Sequence, residues 1–453
     1  MIVRTFNWNA AVRDLFRQWR SRAPLPMPVN SAAIMLSVVA AGAFGQVTWL
    51  LAARLSAPHE VGIASAYMSA AQLCAQLSLL GLGSAVFVLL PRHSEDGAAL
   101  IRTLLSTVAS GGLLAGLVYV AIAVTSLHEL GSFVADPHAL AVVLVQATVL
   151  PAALLLDQSA VALRRADGVL IRSIVSGVTR VCLVIALWLL ATTTALPALF
   201  ITLAWVVSTV LACMMGNSQL NHILRGFTLR PSFHKEFVCK GLRIGLPNHF
   251  VSLAMIGPGL ILSILVTELL SASSNAYWYI AWMLAGIVFV VPSSNGLALF
   301  AEIANHPERT RAASLQSIRS SLLFGLPLAV CLGLAAGWGL PFLGEGYVAG
   351  VTPVRIMVFG VLPMTFIETY VANCRAAHNL REPALVCFLS GVVMLGAAAV
   401  GGVTFGLNGV ALAWLGAECV LGLWAAWRLR LPASLRYEPQ VRVLEPSQNW
   451  PQD

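Results

Sequence analysis

Four ionisable side chains stand inside long apolar runs of the sequence: Asp157, Arg180, Glu368 and Glu418. In a bilayer an unpaired charge costs about 2.5–3.5 kcal/mol on insertion scales, so such residues usually have a partner or a role in transport. Asp157 and Arg180 flank the turn at residues 165–168 at similar distances, and antiparallel helices would bring them to one depth. We therefore expect a structural ion pair between them. The alternative is that Arg180 attracts an anionic substrate.

The two glutamates have no obvious partner in the sequence. A buried carboxylate that takes up and releases a proton is what a proton-coupled carrier requires. Glu368 and Glu418, together with Asp157, are therefore the candidates for ion coupling. The alternative for the glutamates is a protonated carboxyl group that forms a hydrogen bond to a neighbouring helix.

Uncharged polar residues follow helical spacing in two of the apolar runs. One stripe contains Ser65, Ser69, Gln72 and Gln76, and the other contains Asn248, Ser252, Gly259 and Ser263, with His249 beside its inner end. Each stripe would occupy one face of a helix, and the pair would line a hydrophilic central cleft. The alternative is that these small and amide groups only pack helices together. The candidate cleft residues are Ser69, Gln72, Gln76, Asn248, His249, Ser252, Arg54 and Arg180.

The composition indicates what elements hold these residues. The chain has 453 residues, of which 58% are hydrophobic and 10% charged, far from the composition of soluble domains. About 20 apolar residues cross a bilayer core, and the continuous runs lack the alternation of a membrane barrel. We expect an all-α polytopic membrane protein with about 12 transmembrane helices in two six-helix lobes around a central cleft. The expected spans are 30–53, 65–89, 103–125, 139–162, 171–191, 197–215, 244–267, 276–300, 318–339, 353–374, 384–404 and 409–427.

Positive charge is distributed unequally between the two sides of these spans. All but three of the 27 Lys and Arg residues fall on the side that carries both termini; the exceptions are Arg54, Arg180 and Arg355. Because positively charged loops stay cytoplasmic, we expect both termini in the cytoplasm. The net charge of +8 is then a topology signal, and no nucleic-acid partner is expected.

The same assignment divides the chain into five parts. We expect a cytoplasmic amphipathic arm (1–29), an N-terminal six-helix lobe (30–216), a cytoplasmic linker (217–243), a C-terminal six-helix lobe (244–427) and a cytoplasmic tail (428–453). Two halves of equal helix number suggest parallel repeats, and a weak match between residues 54–62 and 269–277 supports them. Trp49, Trp188, Trp278 and Trp338 lie near outer helix ends, where tryptophan usually anchors a helix at the interface.

Signatures of enzymes are missing from the sequence. A P-loop, a zinc-type His/Cys cluster and a serine-nucleophile elbow are all absent, and the outer loops are too short to hold a sugar acceptor and catalytic groups. We expect no enzyme activity, no cofactor and no metal. A membrane-embedded glycosyltransferase or polymerase is therefore a weak alternative.

Short segments over nearly the whole chain match, in order, those of one group of transporters. They are residues 50–65, 80–84, 90–92, 157–167, 276–282, 299–302, 343–347 and 406–414. In these segments the chain resembles the bacterial polysaccharide flippases of the multidrug/oligosaccharidyl-lipid/polysaccharide exporter superfamily. A major-facilitator carrier would also have six plus six helices, but its charged Gly/Asp/Arg signature is missing from residues 91–102.

The resemblance implies a location and a substrate. It implies a multi-pass protein of the bacterial inner membrane that moves a polyprenyl-diphosphate-linked oligosaccharide from the inner to the outer leaflet by alternating access, for cell-surface polysaccharide synthesis. It also implies membrane lipids and a polysaccharide polymerase or glycosyltransferases as partners. A multidrug exporter of the same superfamily remains open, because it would share the fold.

Overall fold

The computed structural model describes residues 24–92, 96–190, 195–224, 226–228 and 230–430. Most of the expected arm (1–29) and nearly all of the expected tail (428–453) therefore lie outside the described residues. The described part is helical and contains no β-strand. Its helices are α1 (Met27–Leu55), α2 (Pro58–Leu79), α3 (Leu82–Leu89), α4 (Gly97–Ser126), α5 (Glu129–Val134), α6 (Pro137–Ala162), α7 (Ala166–Leu190), α8 (Ala198–Ile223), α9 (Lys235–Leu269), α10 (Ala272–Asn305), α11 (Thr310–Gly339), α12 (Val351–Met357), α13 (Val361–Ala376) and α14 (Arg381–Arg430).

One of the membrane spans is bent. Helices α2 and α3 form one span with a bend of 43°. The bend lies at Leu80 and Gly81, which have φ angles of 46° and 79°. Left-handed residues end a helix, and glycine adopts this conformation without steric cost.

The 50 residues of α14 are two antiparallel helices and not one. A straight helix of that length would extend about 75 Å, far more than a bilayer core of about 30 Å. The chain reverses at Gly406, which has a φ of 60°. On either side of the reversal the backbones of Gly401 and Gly409 touch, since a Cβ on Gly409 would lie 1.9 Å from the Gly401 carbonyl oxygen. With this hairpin the described chain has the expected twelve spans, so the predicted fold class is confirmed.

The spans form two six-helix lobes around a central cleft. Helices α1 to α8 form the N-terminal lobe, in which α1 packs along α7, and α6 packs between α4 and α8. Helices α9 to α14 form the C-terminal lobe, in which α10 contacts α11 and α13, and α9 packs on α14. We call the face where α1 begins and α14 ends the inner face, and the opposite one the outer face. The connection between α8 and α9 is shorter than the expected linker 217–243, because α8 continues to Ile223 and α9 begins at Lys235.

Helix α2 joins the lobes by contacts between backbones. A Cβ on Gly62 would lie 1.7 Å from the carbonyl oxygen of Ala272 at the start of α10. Towards the inner face, a Cβ on Gly245 of α9 would lie 1.9 Å from the carbonyl oxygen of Gly81. Small residues allow helices to approach this closely in a membrane, where packing replaces the hydrophobic effect. The contact between Gly62 and Ala272 joins the two segments, 54–62 and 269–277, that the sequence suggests as repeats.

The α14 hairpin gives a first test. Substitution of Gly409 by valine places a side chain where the Gly401 backbone lies, and overpacking of this kind typically costs about 1–3 kcal/mol. We expect Gly409→Val to lower the melting temperature of the protein in detergent by several degrees. Gly416→Val is the matched control, because a Cβ at Gly416 has no neighbour within 4 Å. Equal melting temperatures for the two variants would contradict the hairpin contact.

Candidate substrate cavity between the lobes

Arg180 lies deep in the membrane at the boundary between the lobes. It is ten residues from the outer end of α7, or about 15 Å. Its guanidinium carbon is 3.5 Å from the centroid of the Trp205 ring, and its Nε–H donates to Ser208 Oγ at 3.1 Å. Tyr279, on α10 of the opposite lobe, is close enough to interact with it electrostatically.

The charge of Arg180 is only partly compensated. A guanidinium has five N–H donors, and only the Nε–H has a partner in the described residues. None of the ion pairs in the described chain includes Arg180. The cation–π contact with Trp205 contributes about 2 kcal/mol when desolvated, which is less than the cost of the buried charge. The remaining N–H groups are therefore available to an anion.

Aromatic rings surround this position. Trp49 lies 5.7 Å from Trp205 and 4.8 Å from Tyr279, measured between ring centroids. Next to them lies a cavity of about 290 Å³, whose lining includes Ser69, Gln72, Trp205, Ser263, Trp278 and Trp282. Aromatic faces beside hydroxyl and amide groups form a surface on which the C–H faces and the hydroxyls of a sugar ring can both be contacted.

Two of the expected interfacial anchors belong to this cluster instead. Trp49 and Trp278 are only 2% and 1% exposed, because both lie between the lobes. Trp188 and Trp338 are 38% and 79% exposed and are free to contact lipid. The position of a tryptophan near a helix end therefore did not determine which side of the helix it occupies.

The expected ion pair between Asp157 and Arg180 is wrong. Asp157 pairs with Arg172, whose Nε donates to Asp157 Oδ1 at 3.0 Å. The helix bounds give the reason: Asp157 is five residues before the end of α6 and Arg172 is six residues after the start of α7, whereas Arg180 is fourteen. Arg172 also donates to Gln219 on α8, so this pair connects three helices of the N-terminal lobe.

Some residues of the two polar stripes line the cavity between the lobes, whereas others form contacts between the lobes or within one lobe. Ser69 and Gln72 line the cavity, as does Ser263. His249 lies in the seam between α2 and α9, with its Nε2 2.8 Å from the Gln76 carbonyl oxygen. Ser252 is turned into the C-terminal lobe, where it accepts a hydrogen bond from Arg375 Nη2 at 3.2 Å, and Asn248 is half-buried one turn before it.

The two glutamates come together in a second cavity. It has a volume of about 270 Å³, lies within the C-terminal lobe and is lined by both Glu368 and Glu418. Glu368 Oε1 accepts a hydrogen bond from Ser293 Oγ at 2.8 Å. Trp282 and Trp414 also line this cavity. Trp282 also lines the cavity between the lobes, so it borders both spaces.

The outer halves of the lobes are held together by hydrogen bonds. Glu268, at the end of α9, accepts three backbone N–H groups at the start of α5, from His128, Glu129 and Leu130, at 2.7, 3.2 and 2.9 Å. A carboxylate at this position satisfies donors that a helix N-terminus leaves free. Arg54 lies at the outer mouth and donates to the Phe342 carbonyl oxygen at 2.9 Å.

A buried amide completes this set of outer contacts. Asn275 donates to the Gly62 carbonyl oxygen at 2.9 Å and to Ser65 Oγ at 3.0 Å, and it accepts from Ser263. These bonds join α2 and α10 across the lobe boundary. Together with the Glu268 and Arg54 contacts, they close the outer side of the cavity.

The inner halves of α1 and α10 are separated. Gln46 donates to the Met283 carbonyl oxygen at 3.0 Å, and Trp49 contacts Tyr279, but no hydrogen bond or ring contact joins the described residues of these two helices closer to the inner face. A Cβ on Gly42 or on Gly286 would have no atom of the described chain within 4 Å. We call this stretch, in which α1 and α10 have no such contacts, the gap between α1 and α10.

Solved structures share this architecture. An inward-facing multidrug resistance MATE family transporter of the MOP superfamily has a TM-score of 0.64 at 16% identity, over 85% of this chain and 94% of that chain. The lipid II flippase MurJ in an inward closed conformation has a TM-score of 0.69 at 15% identity, over 89% and 87%. A MOP superfamily transporter from Pyrococcus furiosus has a TM-score of 0.54 at 14% identity, over 91% and 95%.

Sequence comparison does not assign the chain to a family. No protein-family model matches the chain, and no curated protein sequence is significantly similar to it. At 14–16% identity the structural likeness establishes the fold alone. The chain therefore has the twelve-helix fold of MOP superfamily transporters.

The Glu268 contact gives a second test. Glu268→Ala removes the acceptor of three hydrogen bonds that join the lobes on the outer side, so we expect it to shift the population towards an outside-open state. We expect a charged thiol reagent added at the outer face to label Gln72→Cys roughly tenfold faster in this variant, in a cysteine-free background, which corresponds to about 1.4 kcal/mol.

Glu345→Ala is the control for this test. Glu345 is an outer-face carboxylate for which no ion pair or side-chain hydrogen bond is formed by the described residues. The interpretation of Glu268 would fail if both alanine variants were labelled at the rate of the unsubstituted protein.

Proposed function

We propose that the protein is a flippase that moves a polyprenyl-diphosphate-linked oligosaccharide from the inner to the outer leaflet of the bacterial cytoplasmic membrane. The observation that carries this proposal is the incompletely compensated guanidinium of Arg180, which lies over Trp205 beside the cavity between the two lobes. A charge held at this depth without a carboxylate partner is typical of a substrate pathway. A planar guanidinium suits phosphate and carboxylate groups, which it can bind through two N–H donors.

The gap between α1 and α10 supports a lipid-linked substrate. A soluble substrate would need only an aqueous entrance, whereas a molecule with a polyprenyl tail needs a cleft that is open to the bilayer on one side. The headgroup would enter between these helices, while the tail stays in the lipid. The aromatic rings of Trp205 and Trp282 and the polar groups of Ser69 and Gln72 would then contact its sugars.

Orientation follows from the positive charges. The loops on the inner face carry almost all of the Lys and Arg residues, so we assign the inner face and both termini to the cytoplasm. The closed outer side and the gap towards the inner half of the bilayer are then the arrangement of a carrier that is ready to load from the cytoplasmic leaflet. A polymerase or glycosyltransferase at the outer leaflet would consume the product.

Alternating access would proceed by rocking of the two lobes. Breaking the Glu268, Asn275 and Arg54 contacts would open the outer side, and closing the gap between α1 and α10 would seal the inner side. For ion coupling we propose Glu368 and Glu418, because both carboxylates face one cavity. Asp157 forms an ion pair with Arg172 and is therefore the weakest of the three candidates for ion coupling.

A multidrug exporter is the second candidate, and one observation favours it. The cavity in the C-terminal lobe combines two carboxylates with the rings of Trp282, Phe289 and Trp414, which suits a lipophilic cation. In that case Glu368 and Glu418 would bind the substrate, and Arg180 would have no role in binding. The two candidates thus predict different critical residues.

The first experiment on the proposed function is lipid analysis of cells depleted of this protein. We expect polyprenyl-diphosphate oligosaccharide to accumulate, as detected by mass spectrometry, and its mass identifies the glycan. Restoring the unsubstituted chain should clear the intermediate. Restoring Arg180→Gln should leave it at least tenfold higher, because the headgroup loses its cationic partner.

Arg355→Gln serves as the control, since Arg355 lies near the outer face and donates to the Gly333 carbonyl oxygen. An unchanged lipid pool together with increased drug sensitivity, in cells without a redundant flippase, would contradict the flippase and support the exporter.

A further inference from the structure

A groove on the N-terminal lobe lies apart from both cavities described above. It has a volume of about 570 Å³ and is formed by α4, α6, α8 and the connection between α8 and α9. Its apolar lining includes Leu105, Ala109, Val149, Ala152, Val210 and Met214. Ala109 is twelve residues from the inner end of α4, so the groove extends about 18 Å below the inner face.

The inner end of the groove is cationic. Arg102 and Arg230 both line it, and Arg102 is only five residues, or about 8 Å, from the start of α4. No Asp or Glu is among its described lining residues, and no described ion pair includes either arginine. The groove therefore has the polarity of a phospholipid, with positive charge at headgroup depth and apolar walls at acyl-chain depth.

Two polar atoms at the cationic end are buried without a hydrogen-bond partner among the described residues. They are Nε of Arg102 and Oδ1 of Asn217. Asn217 is six residues from the inner end of α8, about 9 Å, so it lies at the same level as Arg102. A buried donor and a buried acceptor without partners are costly unless a ligand satisfies them. A phosphate oxygen would accept from Arg102, and a headgroup hydroxyl would donate to Asn217.

We propose that this groove binds an anionic phospholipid of the inner leaflet. One acyl chain lies along α6 between α4 and α8, and the phosphate lies between Arg102 and Arg230. Basic pockets between transmembrane helices on the cytoplasmic side bind anionic headgroups by this chemistry. The inference does not depend on what the protein transports.

The lipid would also fix the connection between the two lobes. Thr228, Arg230, Pro231 and Phe233 of this connection line the groove, and the Ser232 backbone N–H donates to Ser106 Oγ of α4 at 3.1 Å. A phosphate shared by Arg102 and Arg230 adds a second tie between the same two segments. Bound lipid would therefore stabilise the contact between the α8–α9 connection and α4 of the N-terminal lobe.

The test is native mass spectrometry of the purified full-length protein with phosphatidylglycerol and with phosphatidylcholine of identical acyl chains. We expect one phosphatidylglycerol to bind at least tenfold more tightly than phosphatidylcholine. Arg102→Gln with Arg230→Gln should remove this preference. The matched control, Arg311→Gln with Arg319→Gln, removes equal charge from exposed inner positions of the other lobe and should retain it.

A third variant tests the groove without a change of charge. Ala109→Phe fills the acyl-chain region and should weaken phosphatidylglycerol binding several-fold. Melting curves show whether each variant is folded. The proposal is overturned if both double variants lose the preference equally, if Ala109→Phe binds as the unsubstituted protein does, or if polyprenyl monophosphate displaces the bound phospholipid, which would make the groove a substrate site.

Discussion

The close approach of α2 to the opposite lobe is the constraint on which the rest of this structure depends. In a membrane the lobes gain little from hydrophobic association, so they are held by packing and by a few hydrogen bonds. Glycines at both ends of the α2 seam allow the backbones to touch, at Gly62 against Ala272 and at Gly81 against Gly245. These contacts set the distance between the lobes, and hence the width of the cavity beside them.

The buried charged groups are of two kinds, depending on whether they lie within one lobe or at the boundary between the lobes. Asp157 and Arg172 neutralise each other within the N-terminal lobe, where three helices enclose them. Arg180 faces the other lobe, and among the described residues it has an aromatic ring and one hydroxyl as partners but no carboxylate. The first arrangement stabilises a fold, whereas the second retains free donors where a substrate would pass. The difference comes from position relative to the seam and not from residue type.

Much of the fold follows from the sequence, because a run of about 20 apolar residues has few alternatives to a membrane helix. The twelve spans and the two lobes are of this kind. The partners of individual side chains are not, because they depend on which helices become neighbours. Helix α1 packs on α7, far away in sequence, and nothing in the apolar pattern indicates that contact. The depth of a side chain also depends on where its helix begins and ends. The sequence-based estimate counted residues from the turn at 165–168, and it assigned Asp157 to Arg180 instead of Arg172.

The site was predictable only in part for the same reason. Helical spacing brought Ser69 and Gln72 to one face, and both line the cavity. It gave no sign that Ser252 turns towards Arg375, or that Asn275 and Glu268 tie the lobes together. Trp205 and Trp282 lie two turns or more inside their helices, and both line the cavity, so their positions could have indicated it.

The most direct measurement is the affinity of the purified protein for a short polyprenyl-diphosphate saccharide, with Arg180→Gln and Arg355→Gln compared in the same detergent. If Arg180 is the cation that receives the anionic headgroup, Arg180→Gln should bind at least tenfold more weakly, while Arg355→Gln and the unsubstituted protein should bind equally. Equal affinity of all three proteins, each with an unchanged melting temperature, would contradict the assignment of Arg180 and with it the proposed substrate.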